Sequence, residues 1–588
     1  MSKNLIALQN KFLGQGQTVY DELVKLHDKQ GFIGDDDIMR IAKDHNLPPQ
    51  HVRSTAKFYE ELSHDKPATH TIKLCNGEAC RCAGYETAKT QLSATLGVDM
   101  HEVSNAGVRL EPVTCLGLCG LGPNAMVDGQ VVSLKEPGSV EKVAASVRVG
   151  DPLELAEPIN TIHYPAEGQP RIVMRNFDRD VLSLQDAFDA GIYATLQEAL
   201  EQGTVESGAK ILAEVKASNL RGRGGAGFPT GIKFETVRNA ESVDGRKFIC
   251  VNADEGDAGS YIDKEIMERD PHSLIEGTLL AALACGAQDA YFYIRFEYPR
   301  SLETMRKAID EAYEAGFAGK DILGTGFNCD LKIVKGQGAY ICGEETSLLR
   351  SIEGVPAIVS FKPPFPAEKG LWGCPTAVNN VESLHNIPWI VANGGEAYAA
   401  IGYERSRGTK AISINSRVKK PGMYEVPLGT TLRELIFDHA GGMADGEVFQ
   451  AVQVGGPLGG IFPEDLLDTP LDFEAMGKAH GLLGHGGVVV YSQHDDLIAI
   501  GRWLMEFCAI ESCGKCFPCR IGAVRGTELF EQVMTNGVTD EKLELLVELC
   551  ETMKYGSLCA LGGAIPTPIE CLMEYFPQLF DAMRKEPV

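Results

Sequence analysis

Eight of the seventeen cysteines in this 588-residue chain fall into two sets of four, and any fold it adopts must bring each set to one point. The first set is Cys75-x4-Cys80 followed by Cys115-x3-Cys119. The second is Cys513-x2-Cys516-x2-Cys519, closed by a remote Cys559. Iron–sulfur clusters need four converging thiolates, mostly from loops whose backbone N–H groups reach the sulfurs. Gly77, Gly117 and Gly120 give the first set that close backbone approach. Zinc is the competing reading, but its ligands often come as C-x2-C pairs, and neither pair of the first set does. The spacing therefore predicts a 2Fe–2S site at Cys75, Cys80, Cys115 and Cys119, with Cys82 a non-ligand. Three cysteines in a row with a distant fourth is the pattern of a cubane, predicting a 4Fe–4S site at Cys513, Cys516, Cys519 and Cys559. Cys550 competes for the remote position, but it follows an amphipathic stretch (EKLELLVELC) and reads as a packed apolar thiol. Cys250, Cys285, Cys329, Cys342, Cys374, Cys508 and Cys571 read as core residues.

Composition narrows the class further. At about 150 residues per domain the length suggests about four domains, and 44% hydrophobic residues can fill several cores. A formal net charge of −26 argues against a broad basic face for nucleic acid. No apolar run approaches the ~20 residues that span a bilayer, and MSKNLIALQNKFLGQG lacks a signal peptide's apolar core. A soluble, cytoplasmic protein is expected, and an odd, clustered cysteine count fits poorly with a secreted disulfide framework.

Periodicity organises the chain. Asp21–His27, Asp36–His45 and Pro49–Leu62 read as short amphipathic helices. Thr69–Leu74 reads as a strand running into the first cysteine pair, Ala83–Leu96 as a helix, and Val108–Val113 as a strand running into the second. Ala125–Ser133 reads as a hairpin turning at Asp128-Gly129. Proline-rich residues 150–178 suit a linker. From about 180 to 400, helices alternate with strands at Lys247–Asn252, Ala290–Arg295 and Leu331–Val334, an α/β pattern. A small α+β module follows, with a hairpin at Ala411–Ser416 and Gly422–Val426, a helix at Thr431–His439, and strands at Val452–Val454 and Gly487–Val490. From Asp495 onward the pattern is mostly helical.

Between the cysteine sets lies Arg221–Thr230 (RGRGGAGFPT). Gly222 to Gly227 match G-x-G-x-x-G, but the preceding Lys210–Ser218 is helix-like, so this is not an ordinary Rossmann turn. Glycines nonetheless let N–H groups approach an anion, and Arg221, Arg223 and Lys233 add positive charge. A non-Rossmann phosphate or flavin cradle is expected. Asn252-Ala-Asp254-Glu255-Gly-Asp257, Gly338–Glu345 and Asn379-Asn380 are three more polar loops; singly each reads as a solvated turn, together they supply hydrogen bonds for a flavin. Two clusters flanking a nucleotide site suit a chain that moves electrons.

RGRGGAGFPTGIKF, NADEGDAG, GAYICGEETSLL, KPPFP, PTAVNNVESL and ESCGKCFPCR resemble the flavin- and NADH-binding subunit of respiratory complex I. Residues 1–150, with YEEL, CNGEAC and CLGLCG, resemble its thioredoxin-like 2Fe–2S partner subunit, so the two are fused in one polypeptide. Such fusions occur as the diaphorase subunit of NAD-reducing hydrogenases and the β subunit of NAD-dependent molybdenum formate dehydrogenases. The resemblance implies a multidomain α/β protein: an N-terminal helical segment (1–65), a thioredoxin-like 2Fe–2S domain (66–150), a linker (151–178), an FMN- and NAD(H)-binding domain (179–404), a small ubiquitin-like α+β domain of SLBB type (405–492) and a helical 4Fe–4S domain (493–588).

It also implies cofactors and roles. FMN is held by Gly222, Gly224, Gly225, Gly227, Lys233, Asn252, Asp254, Glu255, Tyr340, Gly343, Glu344, Asn379 and Asn380. NAD(H) is held by Phe228, Lys233, Asp257, Glu345, Lys362 and Phe365, its adenine between Phe228 and Phe365. The family often has an aromatic where this chain has Thr236, and glutamate where it has Asp257. Hydride exchange between nicotinamide and flavin needs no catalytic acid or base. The tract MEFCAIESCGKCFPCRIG and the complete first cysteine set point to a formate dehydrogenase. The expected partners are then a molybdenum-containing catalytic α subunit and a small 2Fe–2S γ subunit, with no nucleic acid and no membrane insertion. A hydrogenase diaphorase and a fused NADH-input module of complex I are the alternatives.

Overall fold

The computed structural model describes residues 17–62, 64, 67–149, 153–179 and 182–584, so the N-terminal reading of residues 1–16 lies outside the described residues. The chain forms two compact units. One comprises Met1–Pro67, Ile172–Glu255 and Asp263–Ile401; the other comprises Ala68–Arg171, Gly256–Ile262 and Gly402–Val588.

The first unit is built on a five-stranded sheet. Its strands are β6 (Phe248–Ala253), β7 (Asp289–Ile294), β8 (Gly319–Ile322), β9 (Phe327–Lys335) and β10 (Thr376–Asn380), in the order β10-β6-β7-β9-β8, numbered with the strands β1 to β5 of the second unit described below. All pairs are parallel except β8–β9. Strands buried on both faces read as continuous apolar runs, as FICVNA and DAYFYI do. Helix Pro271–Cys285 is buried along its whole length, which suits a helix apolar on every side. Three N-terminal helices, Val19–Gln30, Asp35–Asp44 and Pro49–Phe58, pack against this sheet. The first opens with a reciprocal cap: Asp21 N–H donates to Thr18 Oγ1 (3.1 Å) and Thr18 N–H to Asp21 Oδ2 (2.9 Å). Tyr59 and Tyr293 both meet the Ser351 hydroxyl at 3.0 Å, and Tyr20 donates to the Lys335 carbonyl. Buried phenols thus keep partners while their rings fill the core.

The second unit carries two sheets. β1 (His70–Cys75), β2 (Val108–Val113), β3 (Asn124–Val127) and β4 (Gln130–Ser133) form the order β2-β1-β3-β4, with β1 and β2 parallel and the β3–β4 hairpin antiparallel. Helices Tyr85–Leu96 and Ser139–Val149 cover it. The larger sheet follows a short β11–β12 hairpin (Gly402–Tyr403, Ser406–Arg407). It contains β5 (Ile162–His163), β13 (Thr409–Ile414), β14 (Gly422–Pro427), β15 (Phe449–Val454), β16 (Gly460–Phe462) and β17 (Gly487–Ser492), in the order β16-β15-β17-β13-β14-β5. The stretch read as a linker therefore supplies an edge strand: Ile162 and His163 pair with Met423 and Tyr424, and the His163 ring stacks on Tyr424 at 4.4 Å. The helix read at Thr431–His439 is present: Thr431 and Glu434 cap its start reciprocally, the Glu434 carboxylate accepting the Thr431 N–H (2.8 Å) and Thr431 Oγ1 accepting the Glu434 N–H (3.1 Å), and the helix takes π geometry over Glu434–His439. From Leu497 onward the chain is helical. Helices Leu497–Glu511 and Phe517–Asn536 cross where Gly526 has no side chain; a Cβ there would lie 2.7 Å from Met505 Sδ. The architecture is multidomain α/β with a helical C-terminal part, as the sequence led us to expect.

Candidate functional site

The glycine loop belongs to the first unit and hangs between helices Thr204–Ala217 and Thr230–Asn239. It closes on itself: Gly222 N–H donates to the Phe228 carbonyl (2.9 Å), Thr230 N–H to the Leu220 carbonyl (2.9 Å), and Arg221 Nε to the Gly227 carbonyl (2.7 Å). Gly225 and Gly227 sit at φ of +117° and +61°, a region that favours glycine. At Gly224 a Cβ would lie 2.9 Å from Asn380 Cβ, so the loop backbone rests directly on the end of β10. Arg223 does not add charge to this surface as expected from its type. It is fully buried, with Nη2 donating to the Tyr398 hydroxyl (2.9 Å) and its N–H to Ser383 Oγ (2.8 Å); packing has turned it into an internal strut.

The other polar loops leave the carboxyl ends of the parallel strands, where ligands of open α/β sheets bind. Asn252 and Asn380 are paired across β6 and β10, with Asn379 opposite Val251. Asn252 Nδ2 donates to the Gly343 carbonyl (2.9 Å) and its Oδ1 accepts the Asp254 N–H (3.2 Å), which ties the β6 loop to the Tyr340–Gly343 turn. Glu344 caps helix Glu345–Ile352, accepting the N–H groups of Thr346 (2.9 Å) and Ser347 (3.1 Å). Lys362 Nζ donates to Glu344 (2.8 Å) and Glu345 (2.9 Å). Lys233 Nζ donates to the Val378 carbonyl (2.6 Å); burial lowers its pKa, opposed by Glu345 and reinforced by Lys362. Phe228 and Phe365 are 50% and 52% exposed, offering bare ring faces.

Two residues assigned to a flavin are occupied within the protein. Both Glu255 oxygens accept backbone N–H groups, from Asp263 (3.1 Å) and Lys264 (3.0 Å). Asn380 donates to Asp263 (2.7 Å) and accepts from Ser383 N–H (3.2 Å). Both tie the strand ends to the helices that follow. Asn379, in contrast, is buried and among the described residues its Oδ1 accepts no hydrogen bond, and the buried Thr230 hydroxyl at the start of the helix after the loop likewise has no partner among them. Buried polar atoms without partners call for one, and a ligand with N–H and phosphate oxygen groups fits both. Thr230 lies inside the glycine stretch but has no spacing signal of its own. Asp257 falls in the second unit, where Gly456 passes so close that a Cβ on it would lie 2.8 Å from Asp257 Cβ.

The first cysteine set lies at one edge of the small sheet. Parallel pairing of β1 and β2 puts Cys75 opposite Val113, so the short helix carrying Cys80 and the loop carrying Cys115 and Cys119 follow from the same end. All four are buried, and Cys115 Sγ and Cys119 Sγ are 3.6 Å apart. Cys115 adopts φ +56°, a conformation costing about 1–2 kcal/mol for a residue with a Cβ. Asn124 Nδ2 donates to Cys80 Sγ (3.3 Å). A hydrogen bond from Cys80 and the N–H groups of Gly77, Leu116 and Cys115 bring the Cys75 thiol down to about 7 against the effect of burial, while Cys80 and Cys119 are pushed up. Four thiols that compete for protons at one point, with backbone N–H groups aimed at sulfur, are the donor set an iron–sulfur cluster takes. Cys82 turns instead toward Asp495 and Arg417. Glu78, on the short helix Glu78–Cys82, is buried, and burial pushes its pKa well up.

In the second set, Cys516 caps helix Phe517–Asn536, Cys519 lies in its first turn, and Cys559 caps Ala560–Ala564. Cys519 is buried; Cys513, Cys516 and Cys559 are partly exposed. Cys550 does not follow its helix but sits inside it (Asp540–Gly556), buried and pushed up to about 12, with Glu570 and Lys554 as its charged neighbours. Cys508, read as a plain core residue, faces Cys519 and lies near Cys516 and Cys559. The Arg81 guanidinium lies over the rings of Tyr85 (5.0 Å) and Trp503 (5.6 Å), and Trp503 stacks on Phe507 (5.5 Å).

Comparison with known proteins agrees with this division of labour. The Nuo51 FMN-binding domain matches residues 215–389, and the iron–sulfur binding region of NADH-ubiquinone oxidoreductase-F matches 499–583. The thioredoxin-like 2Fe-2S ferredoxin family matches 7–148 and the SLBB domain 416–462. The NADP-reducing hydrogenase subunit HndC of Solidesulfovibrio fructosivorans is 42% identical over 66% of this chain and 78% of its own. The F subunit of an NADH-quinone oxidoreductase of Rhizobium meliloti is 42% identical over 71% of this chain and 98% of its own. Crystal structures of an NAD+-reducing NiFe-hydrogenase, H2-reduced and air-oxidised, superpose with a TM-score of 0.84 at 29% identity; they cover 97% of this chain and 95% and 94% of theirs. The chain belongs to the family of FMN-binding NADH dehydrogenase subunits that includes the F subunit of NADH-quinone oxidoreductase, with the thioredoxin-like 2Fe–2S domain fused to it. It is an NAD(H)-dependent oxidoreductase whose cofactors are FMN, one 4Fe–4S cluster and one 2Fe–2S cluster.

Proposed function

We propose that the chain is the diaphorase subunit of an NAD-dependent formate dehydrogenase. The observation that carries the reading is the joining, in one chain, of a nucleotide cradle at the parallel-strand ends with two complete cysteine sets. Bound FMN supplies the exchange between a two-electron hydride and single electrons. The chain's part is to hold and insulate. Gly222, Gly224, Gly225 and Gly227 bring N–H groups to the FMN phosphate and ribityl chain, with Lys233 adding charge. Asn252, Asp254, Tyr340, Gly343, Glu344 and Asn379 surround the ring system, with Glu255 and Asn380 bracing them. Phe228 and Phe365 take the adenine of NAD(H), and Lys362 and Glu345, already paired at 2.9 Å, reach its ribose or phosphate. Cys513, Cys516, Cys519 and Cys559 hold the 4Fe–4S cluster; Cys75, Cys80, Cys115 and Cys119 hold the 2Fe–2S cluster.

The finer choice of electron donor rests on the tract Met505–Gly522 (MEFCAIESCGKCFPCRIG) and on the intact first cysteine set. On this reading a molybdenum-containing α subunit oxidises formate and a small 2Fe–2S γ subunit completes the complex. A specific observation also favours a second reading, the diaphorase of an NAD-reducing hydrogenase: the likeness to that hydrogenase runs over 97% of this chain. The isolated chain should reduce an artificial acceptor with NADH yet oxidise neither formate nor hydrogen. The complex purified with its native subunits should reduce NAD+ with formate. Reduction by hydrogen and not formate would move the assignment to the second reading, and an inactive NADH–acceptor reaction in FMN-loaded chain would remove both.

A further inference from the structure

Of the four thiols at the second cysteine set, Cys519 alone is buried. Water can solvate the sulfurs of Cys513, Cys516 and Cys559, whereas whatever stabilises charge on Cys519 must come from the protein. Three side chains outside the ligand pattern stand ready to supply it. Ser512 Oγ lies 3.3 Å from Cys519 Sγ. Its oxygen accepts the Gly514 N–H at 3.3 Å, which leaves the hydroxyl proton to be directed at the sulfur. Cys508, fully buried on helix Leu497–Glu511, points its thiol at Cys519, with the Leu561 carbonyl as the other acceptor in reach at 3.8 Å. Hydrogen bonds to an ionised acceptor are roughly twice as strong as neutral ones, so the single S–H proton goes to the Cys519 thiolate. Ser557 Oγ is buried and has no hydrogen-bond partner among the described residues. It meets Cys519 across Gly562: a Cβ on that glycine would lie 2.5 Å from both Ser557 Oγ and Cys519 Cβ, and 3.0 Å from Cys519 Sγ.

We propose that Cys508, Ser512 and Ser557 form a hydrogen-bond-donating collar around Cys519 that raises the reduction potential of the 4Fe–4S cluster. The inference rests on Cys519 being a ligand of that cluster. Once the Cys519 sulfur is bound to iron it carries no proton, so the neighbours can only donate to it. Reduction adds negative charge to the cluster and its sulfurs, and a donor hydrogen bond stabilises the reduced form more than the oxidised one. None of the three residues is set by ligand spacing. Cys508 precedes Cys519 by three helical turns of sequence that include a break at Ser512, and only the fold returns its thiol to the cluster.

The test is a redox titration of the 4Fe–4S EPR signal in the full-length protein carrying Ser512→Ala, Ser557→Ala or Cys508→Ala, with iron and acid-labile sulfide measured on each. The expected result is full iron and sulfide, a midpoint shifted to more negative potential in each variant, and unchanged FMN and 2Fe–2S midpoints. Cys508→Ser, which keeps a donor, should recover part of its shift. Unchanged midpoints in all three variants would overturn the proposal. So would loss of the cluster in Cys508→Ala alone, because Cys508 would then be a ligand. An unaltered protein without acid-labile sulfide would instead remove the 4Fe–4S assignment itself.

Discussion

Cys559→Ser should lose the 4Fe–4S EPR signal and the corresponding iron and sulfide while keeping FMN. Three cysteines held within seven residues, Cys513 to Cys519, cannot close a cubane, and a serine hydroxyl is a poor substitute for a thiolate ligand. The cradle for FMN lies in the first unit and the cysteine in the second, so flavin content reports folding independently of the cluster. Cys550→Ser is the control. That thiol sits inside helix Asp540–Gly556 with its pKa pushed up by burial, and its neighbours are Glu570 and Lys554. A hydroxyl placed there costs about 1–3 kcal/mol of local stability and should leave the signal intact. A signal that vanishes in the Cys550 variant and survives in the Cys559 variant would exchange the two assignments.

Lys233→Ala should weaken FMN retention by about 10- to 150-fold, the equivalent of the roughly 1.5–3 kcal/mol carried by a hydrogen bond to a charged group. The ammonium donates to the carbonyl of Val378, the central residue of β10, beside the Glu345 that opposes the effect of burial on its charge. On the proposed assignment, losing it leaves the loop glycines to hold the phosphate alone. Both clusters should remain, since none of their cysteines lies in the first unit. Fluorimetric FMN release on dilution measures the effect, and full occupancy at low protein concentration would take Lys233 out of the site.

Features that depend on local spacing are readable in the chain. The glycine loop, the cysteine sets, the hairpin turning at Asp128-Gly129 and the apolar runs of β6 and β7 each express a rule spanning a few residues, and their limits in the structure differ little from those read in the sequence. What escapes depends on distant partners. Ile162 and His163 carry no strand signal over two residues; they become β5 because Met423 and Tyr424 present an open edge. Arg223 looks like a ligand cation beside glycines until Tyr398, 175 residues away, claims it. Cys508 looks like a core thiol until the chain returns Cys519 to it. Asp257, two residues beyond Glu255, belongs to a different compact unit, a division no spacing rule could announce. Glu255 and Asn380 illustrate the converse: their positions are legible, but only the structure reveals that helix N–H groups and Asp263 already engage them.

The measurement that bears most directly on the whole account is the cofactor content of the full-length protein purified without air. One FMN, about six iron atoms and about six acid-labile sulfides per chain are predicted, from one 4Fe–4S and one 2Fe–2S cluster. Stoichiometric zinc with little sulfide, or full iron without flavin, would contradict it.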